Sequence, residues 1–127
     1  MYLLDTTLVL WTAVSPDRLS KRALALVASR DVEVAFSLAT MWEVAIKTSL
    51  EKPGFKVDST ALRNGLLDQG FRQMDMRHEH IAVAARLPWH HRDPFDRLLV
   101  AQALVEGLTL LTSDRLLARY GKMVKWV

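Results

Sequence analysis

Short apolar runs alternate along the chain with longer stretches in which apolar residues recur every three or four positions. Tyr2-Leu3-Leu4 and residues 32–36 are runs of the first kind, closed by the polar side chains of Asp5 and Ser37. Residues 71–76, 108–111 and 123–127 read the same way, so five short strands are predicted. Helical spacing marks residues 19–28, 41–50, 59–69 and 80–87. Their ends carry matching signals. Ser15-Pro16 precedes the first, Thr40 is placed to cap the second and Pro53-Gly54 to end it, Gly70 closes the third, and Pro88 stops the fourth. Asp93-Pro94 is a cap followed by proline at the first helical position, which opens a helix from Phe95 to about Glu106 with Gly107 as its stop. A short helix over 114–120 follows. Residues 6–14 receive no assignment from the pattern.

Strands that are apolar on both sides and separated by helices belong to a parallel sheet covered on both faces. The predicted fold class is therefore α/β, a three-layer α/β/α sandwich around a central, mostly parallel sheet. No low-complexity stretch or repeat interrupts the chain, and its longest loop lies around Lys52-Pro53-Gly54, so residues 1–127 are read as a single domain.

Composition narrows the chemistry. The chain is 50% hydrophobic, and the absence of Cys excludes disulfide scaffolds, zinc ribbons and thiol nucleophiles. No basic leader precedes an apolar run, and no stretch approaches the ~18 apolar residues of a membrane span. The expectation is a cytoplasmic protein with no membrane anchor. Glycines at 54, 65, 70, 107 and 121 form neither G-x-G-x-x-G nor a Walker loop, and no Ser or Thr sits in a nucleophile elbow. A net charge of +3 is weak evidence for a polyanionic partner.

Four acids change that picture. Asp5 ends the first strand, Asp114 lies just beyond the fourth, Glu43 falls in the first turn of the helix after the second strand, and Asp96 in the first turn of the helix before the fourth. In a parallel sheet, ligands bind at the carboxyl edge of the strands where the strand order reverses, which is where these side chains would collect. Carboxylates gathered there repel one another unless a divalent cation compensates them, and oxygen-only ligands suit Mg²⁺ or Mn²⁺. Such a site activates water against a phosphodiester. Each acid also has a structural reading. Asp114 could cap the helix it opens, Glu43 and Asp96 could be first-turn acids, and Asp93 reads as an N-cap more than as a ligand. Asp5 is hardest to dismiss, since a carboxylate after three apolar residues is costly to bury alone.

Other side chains are weaker candidates. His90-His91 and His78-x-His80 lack the spacing of a helical zinc site and read as solvated basic loops. Trp11, Trp42, Trp89 and Trp126 read as core or interface residues before base-stacking platforms. Arg92 and Arg97 flank the acids and could meet a phosphate or face solvent. Lys47, one turn beyond Glu43, is placed for an i,i+4 ion pair with it.

The blocks Leu3-Leu4-Asp5-Thr6, Ser37-Leu38-Ala39-Thr40-Met41-Trp42-Glu43-Val44-Ala45-Ile46-Lys47, His90-His91-Arg92-Asp93-Pro94-Phe95-Asp96-Arg97-Leu98-Leu99-Val100-Ala101-Gln102-Ala103 and Leu110-Leu111-Thr112-Ser113-Asp114 resemble the PIN-domain ribonucleases, and within them the VapC toxins of toxin–antitoxin pairs. The third block is highly specific; the first is weak alone. The resemblance implies a PIN-like fold, dependence on Mg²⁺ or Mn²⁺, cleavage of single-stranded RNA, a homodimer, and inhibition by a cognate VapB-like antitoxin. It carries the family's acidic quartet onto Asp5, Glu43, Asp96 and Asp114. Asp5 and Asp96 would be inner ligands, Glu43 would complete the shell or orient water, and Asp114 would hold a second ion or act through a water. Thr112 matches a hydroxyl that supports the last acid. Where related toxins commonly read Asp-Thr-His, this chain has Asp5-Thr6-Thr7, so no histidine role is carried over at that place. Two alternatives stay open: a catalytically weak or inactive RNA-binding module, and a metal-dependent nuclease acting on DNA or on structured substrates.

Overall fold

The structure is a computed structural model that describes residues 1–127. Five strands, β1 (Tyr2–Leu4), β2 (Val34–Ser37), β3 (Arg72–Met74), β4 (Thr109–Thr112) and β5 (Val124–Trp126), form one sheet in the order β3-β2-β1-β4-β5. Every pairing is parallel. Helices α1 (Thr6–Val14), α2 (Lys21–Ala28), α3 (Leu38–Ser49), α4 (Ser59–Asp68), α5 (His78–Arg86) and α6 (Pro94–Glu106) connect the strands, with 3₁₀ turns at Pro16–Arg18 and Arg115–Tyr120.

Alternation along each strand divides the core. Leu4, Val34, Phe36 and Leu111 face one side, where Leu8 and Val9 of α1, Ala23 of α2, Met41 and Val44 of α3, and Leu62 and Leu66 of α4 cover them. Leu3, Ala35, Leu110 and Val124 face the other, against Leu99, Val100 and Ala103 of α6 and Leu117. Both faces are apolar because both are covered, and the three-layer sandwich expected from the strand composition follows.

Differences from the expected elements have local causes. α1 was unreadable because nearly every residue of Thr6–Val14 is apolar or β-branched, so no polar stripe reveals its period. Its start is set by Asp5, whose Oδ1 accepts the Leu8 N–H at 2.8 Å. α3 begins at Leu38 and not near Met41, because Ser37 and not Thr40 is its cap, accepting from Ala39 N–H. Glu43 therefore lies in the second turn of its helix and not the first. At Asp93 the expected cap is present: one carboxylate oxygen accepts from Phe95 and Asp96 N–H. Gly107 ends α6 with φ of 68°, a left-handed conformation that favours glycine.

The strand order places a reversal at β1. The chain steps from β1 to β2 and β3 on one side and to β4 and β5 on the other. The carboxyl ends of β1 and β4 thus flank the switch point of the sheet, and Asp5 and Thr112 stand there.

Candidate metal centre

Asp5 is 3% exposed and each of its oxygens has its own donor. Oδ1 takes the Leu8 N–H; Oδ2 takes the Thr112 hydroxyl at 2.6 Å. Thr112 Oγ1 in turn accepts the Asp114 N–H at 2.9 Å, so one buried hydroxyl ties the first residue beyond β1 to the second residue beyond β4. Desolvation by burial nonetheless pushes the Asp5 carboxyl up to about 6, against the hydrogen bonds from Thr112 and Leu8 that pull it down.

Asp96 follows the Asp93 cap by three residues on α6. Its carboxyl is pushed up further, to about 7, first by desolvation and then by the negative charges of Asp93, Asp5 and Glu43, with only His91 acting the other way among the nearby charges. Asp5 and Glu43 therefore lie near enough to Asp96 for their charges to act on it. Asp114 also raises Asp5.

Glu43 is buried on α3 and held at both oxygens. Thr6 Oγ1 donates to Oε1 at 2.7 Å, and Lys47 Nζ lies 2.7 Å from Oε2 as the i,i+4 pair that the spacing suggests. Thr6 also shares a hydrogen bond with Thr40. Asp114 caps the 3₁₀ turn Arg115–Tyr120 through Oδ1, accepting the Leu116 N–H at 2.9 Å, while its Oδ2 is turned 2.8 Å from His91 Nε2. Capping and site chemistry are thus not competing roles for Asp5 or Asp114. A carboxylate has two oxygens, and a backbone cap aims the other one.

His91 departs from its expected place in a solvated loop. It is half-buried, and its Nε2 is 3.6 Å from Asp96 Oδ2 as well as close to Asp114. The sequence carried only the His90-His91-Arg92-Asp93 block as a signal, and spacing gave no reason to separate His91 from His90. Arg97 departs as well: expected at a phosphate or on the surface, it is 4% exposed. Its guanidinium donates to the carbonyls of Ala84, Leu87 and Pro88 and to Tyr120, and stacks 3.8 Å from the Trp89 ring centroid. Arg97 thus ties the last turn of α5 to the 87–88 segment that follows it. Arg92 is exposed. His80 is also buried and not in a solvated loop, and Trp42, Trp89 and Trp126 lie on the surface while Trp11 packs on the core.

The donor chemistry fits a divalent cation. Ligand atoms of His91, Asp96 and Asp114 lie within 4.8 Å of one another, and two further acids are electrostatically coupled to them. Buried carboxyls with raised pKa values hold a charge deficit that a bound cation would relieve.

Fold and site together define a class: a parallel α/β/α protein with an acidic cluster at the switch point of its sheet. The chain belongs to the PIN domain family, whose model matches residues 2–123. PIN domains are generally nucleases and generally use divalent metals. Among solved structures, the chain is similar to one from VapBC2 of Rickettsia felis bound to a DNA fragment from the promoter, at 17% identity and a TM-score of 0.72, covering 98% of this chain and 96% of that one. A toxin–antitoxin complex from Klebsiella pneumoniae matches at 18% identity and a TM-score of 0.67, covering 98% and 96%. FitAcB from Neisseria gonorrhoeae matches at 21% identity and a TM-score of 0.63, covering 94% and 92%. These likenesses show the shared fold. No curated protein sequence matches the chain significantly. No helix is long and apolar enough to cross a membrane.

Proposed function

We propose that this chain is an endoribonuclease that cleaves single-stranded RNA with Mg²⁺ or Mn²⁺, and that it acts in the cytoplasm as the toxin of a toxin–antitoxin pair. The observation that carries the reading is the convergence of Asp5, Glu43, Asp96 and Asp114 at one sheet edge, with the Asp5 and Asp96 carboxyls pushed up to about 6 and about 7. A module that only bound RNA would gain nothing from acids facing a polyanion.

Asp5, Asp96 and Asp114, with Glu43, would hold the cation. When bound, it supplies Lewis acidity toward the phosphodiester and lowers the pKa of the attacking water. The rest belongs to the chain. Thr112 keeps Asp5 aimed, Thr6 and Lys47 hold Glu43 in its rotamer, and the Asp93 cap fixes the first turn that presents Asp96. With no cation present, the raised values of Asp5 and Asp96 mean that these groups take up protons near neutral pH, which lowers the local repulsion.

A cognate VapB-like antitoxin and a homodimer are the proposed protein partners. Exposed Val14, Trp42, Leu50, Ile81 and Trp89 provide apolar surface for such contacts, and solved proteins of the same fold are toxin–antitoxin assemblies.

The test is cleavage of a short single-stranded RNA. EDTA should abolish it, Mn²⁺ should restore it, and Ca²⁺ should support little turnover. The products should carry 3′-hydroxyl and 5′-phosphate ends. A 2′,3′-cyclic phosphate formed in EDTA would overturn the reading, and preferential cutting of DNA or of duplex substrates would replace the substrate class.

A further inference from the structure

We infer that His91 is a positioning residue that donates its Nε2–H to Asp114 and is not a metal ligand. The inference rests on the proposed reading of the acids as a cation site. On distance alone His91 would be counted among the ligands, since its Nε2 lies within 4.8 Å of carboxylate oxygens of Asp96 and Asp114. The hydrogen bond on the opposite side of its ring argues otherwise.

A neutral imidazole carries one proton. To bind a cation through Nε2 it must keep that proton on Nδ1, and a ligating histidine accordingly donates from its other nitrogen to a carbonyl, carboxylate or water. Here Nδ1 faces a donor. The Asp93 backbone N–H points at it with a separation of 3.1 Å, and an amide N–H can only donate. Nδ1 therefore accepts, and the proton of the neutral ring sits on Nε2. That N–H then points at Asp114 Oδ2, 2.8 Å away, with Asp96 Oδ2 at 3.6 Å.

The surroundings hold this arrangement. The bond to His91 is the one hydrogen bond that the Asp93 N–H makes, and reversing the tautomer would set two N–H groups against each other immediately before the cap of α6. The His91 backbone N–H donates to the Tyr120 hydroxyl at 3.2 Å, and Tyr120 is itself tied to Pro88 and Arg97, so the loop has little freedom to rotate the ring. Asp114 is gripped at both ends, Oδ1 by Leu116 N–H and Oδ2 by His91. The same wiring occurs elsewhere in the molecule: His80 accepts the Arg77 N–H at Nδ1 and turns Nε2 to Glu106, at a place with no candidate metal cluster. The ring thus bridges the start of α6, which presents Asp96, to the turn after β4, which presents Asp114, and sets the spacing between two acids that belong to different elements.

Pulsed EPR of Mn²⁺ bound to the full chain tests the assignment together with Mn²⁺ titrations of His91→Ala and His91→Gln. The expected spectrum has no coupling from a directly bound imidazole nitrogen. His91→Ala should weaken Mn²⁺ binding by about 10- to 100-fold, the usual effect of removing a group that orients a ligand. His91→Gln, whose side-chain amide can donate at the Nε2 position, should recover most of that loss while melting like His91→Ala. Directly bound nitrogen in the spectrum, or equal weakening in both variants, overturns the assignment and leaves the cation site standing. A wild-type chain that binds no Mn²⁺ overturns the cation site, and this inference with it.

Discussion

Two polar clusters are rooted in buried side chains of this small protein, and they differ in charge balance and in how much of each is exposed. The first joins Ser37, Gln102, His80, Glu106 and Arg77 between β2, α5 and α6. The Ser37 hydroxyl donates to Gln102 Oε1, Gln102 Nε2 approaches His80 Nδ1 at 3.3 Å, and His80 Nε2 meets Glu106 at 2.9 Å, with Arg77 on the same carboxylate oxygen. Donors and acceptors are matched, and the His80 hydrogen bond holds the Glu106 carboxyl below its usual range. The second, at the ends of β1 and β4, gathers acids. Its hydroxyls and backbone amides satisfy individual oxygens, yet Asp5 and Asp96 are both pushed up. The clusters differ in burial and in net charge: Glu106 is exposed and faces two basic partners, whereas Asp5 and Asp96 are raised first by desolvation and then by neighbouring acids. A cluster that serves only the fold ends up neutralised, whereas one that remains electrostatically frustrated is a candidate for a ligand of opposite charge.

Mutation should separate the two clusters. Asp96→Asn is expected to reduce RNA cleavage by at least about 100-fold, since changes even to groups behind a ligand cost that much. Its thermal midpoint in EDTA should match or exceed wild type, because one of several repelling charges is gone. Near wild-type cleavage with Mg²⁺ would remove Asp96 from the site.

The pH dependence of stability is the next largest effect. A carboxyl whose folded pKa lies above its unfolded value takes up its proton more readily in the folded state. Without cation, Asp5 and Asp96 should therefore stabilise the fold as pH falls from about 7 to about 4 and weaken it as pH rises through the same window. For Asp5 alone, the rise from 3.8 to about 6 corresponds to about 3 kcal/mol. Saturating Mn²⁺ should flatten this slope near neutrality. Melts across pH 4–8 with EDTA and with Mn²⁺ check the sign, and a stability that increases steadily with pH in EDTA would contradict it.

In the matched cluster the pattern should invert. His80→Ala leaves the Arg77 N–H without its partner and Glu106 with Arg77 alone, at a cost of about 2 kcal/mol in denaturant unfolding. Cleavage per folded molecule should be retained. Loss of activity in a fully folded His80→Ala protein would tie the two clusters together. The smallest effect belongs to Asp93→Asn. Asn caps a helix about as well as Asp, so stability should move by only a few tenths of a kcal/mol and most activity should persist. Abolished cleavage in that variant would make Asp93 a ligand.

Much of this was legible in the chain itself. Apolar strands closed by polar residues specified a covered parallel sheet, because only a strand buried on both sides can be apolar on both sides. Asp93-Pro94 and Gly107 bounded α6 through backbone constraints that act locally. The four acids were also visible as residues at or near predicted strand carboxyl ends, although Glu43 sits a turn deeper in its helix than its expected cap implied. What the sequence could not carry was direction. Whether Arg97 turned outward or beneath the 88–91 loop, and whether His91 or His90 faced the acids, depends on which helix ends pack against one another. Nor could it show that Thr112 would join Asp5 to Asp114 across 107 residues of chain. Local propensity and periodicity are properties of neighbouring residues. The orientation of a polar side chain depends on the donors and acceptors left unsatisfied around it, and in this protein those are brought together only when β1 pairs with β4 and α6 closes over them.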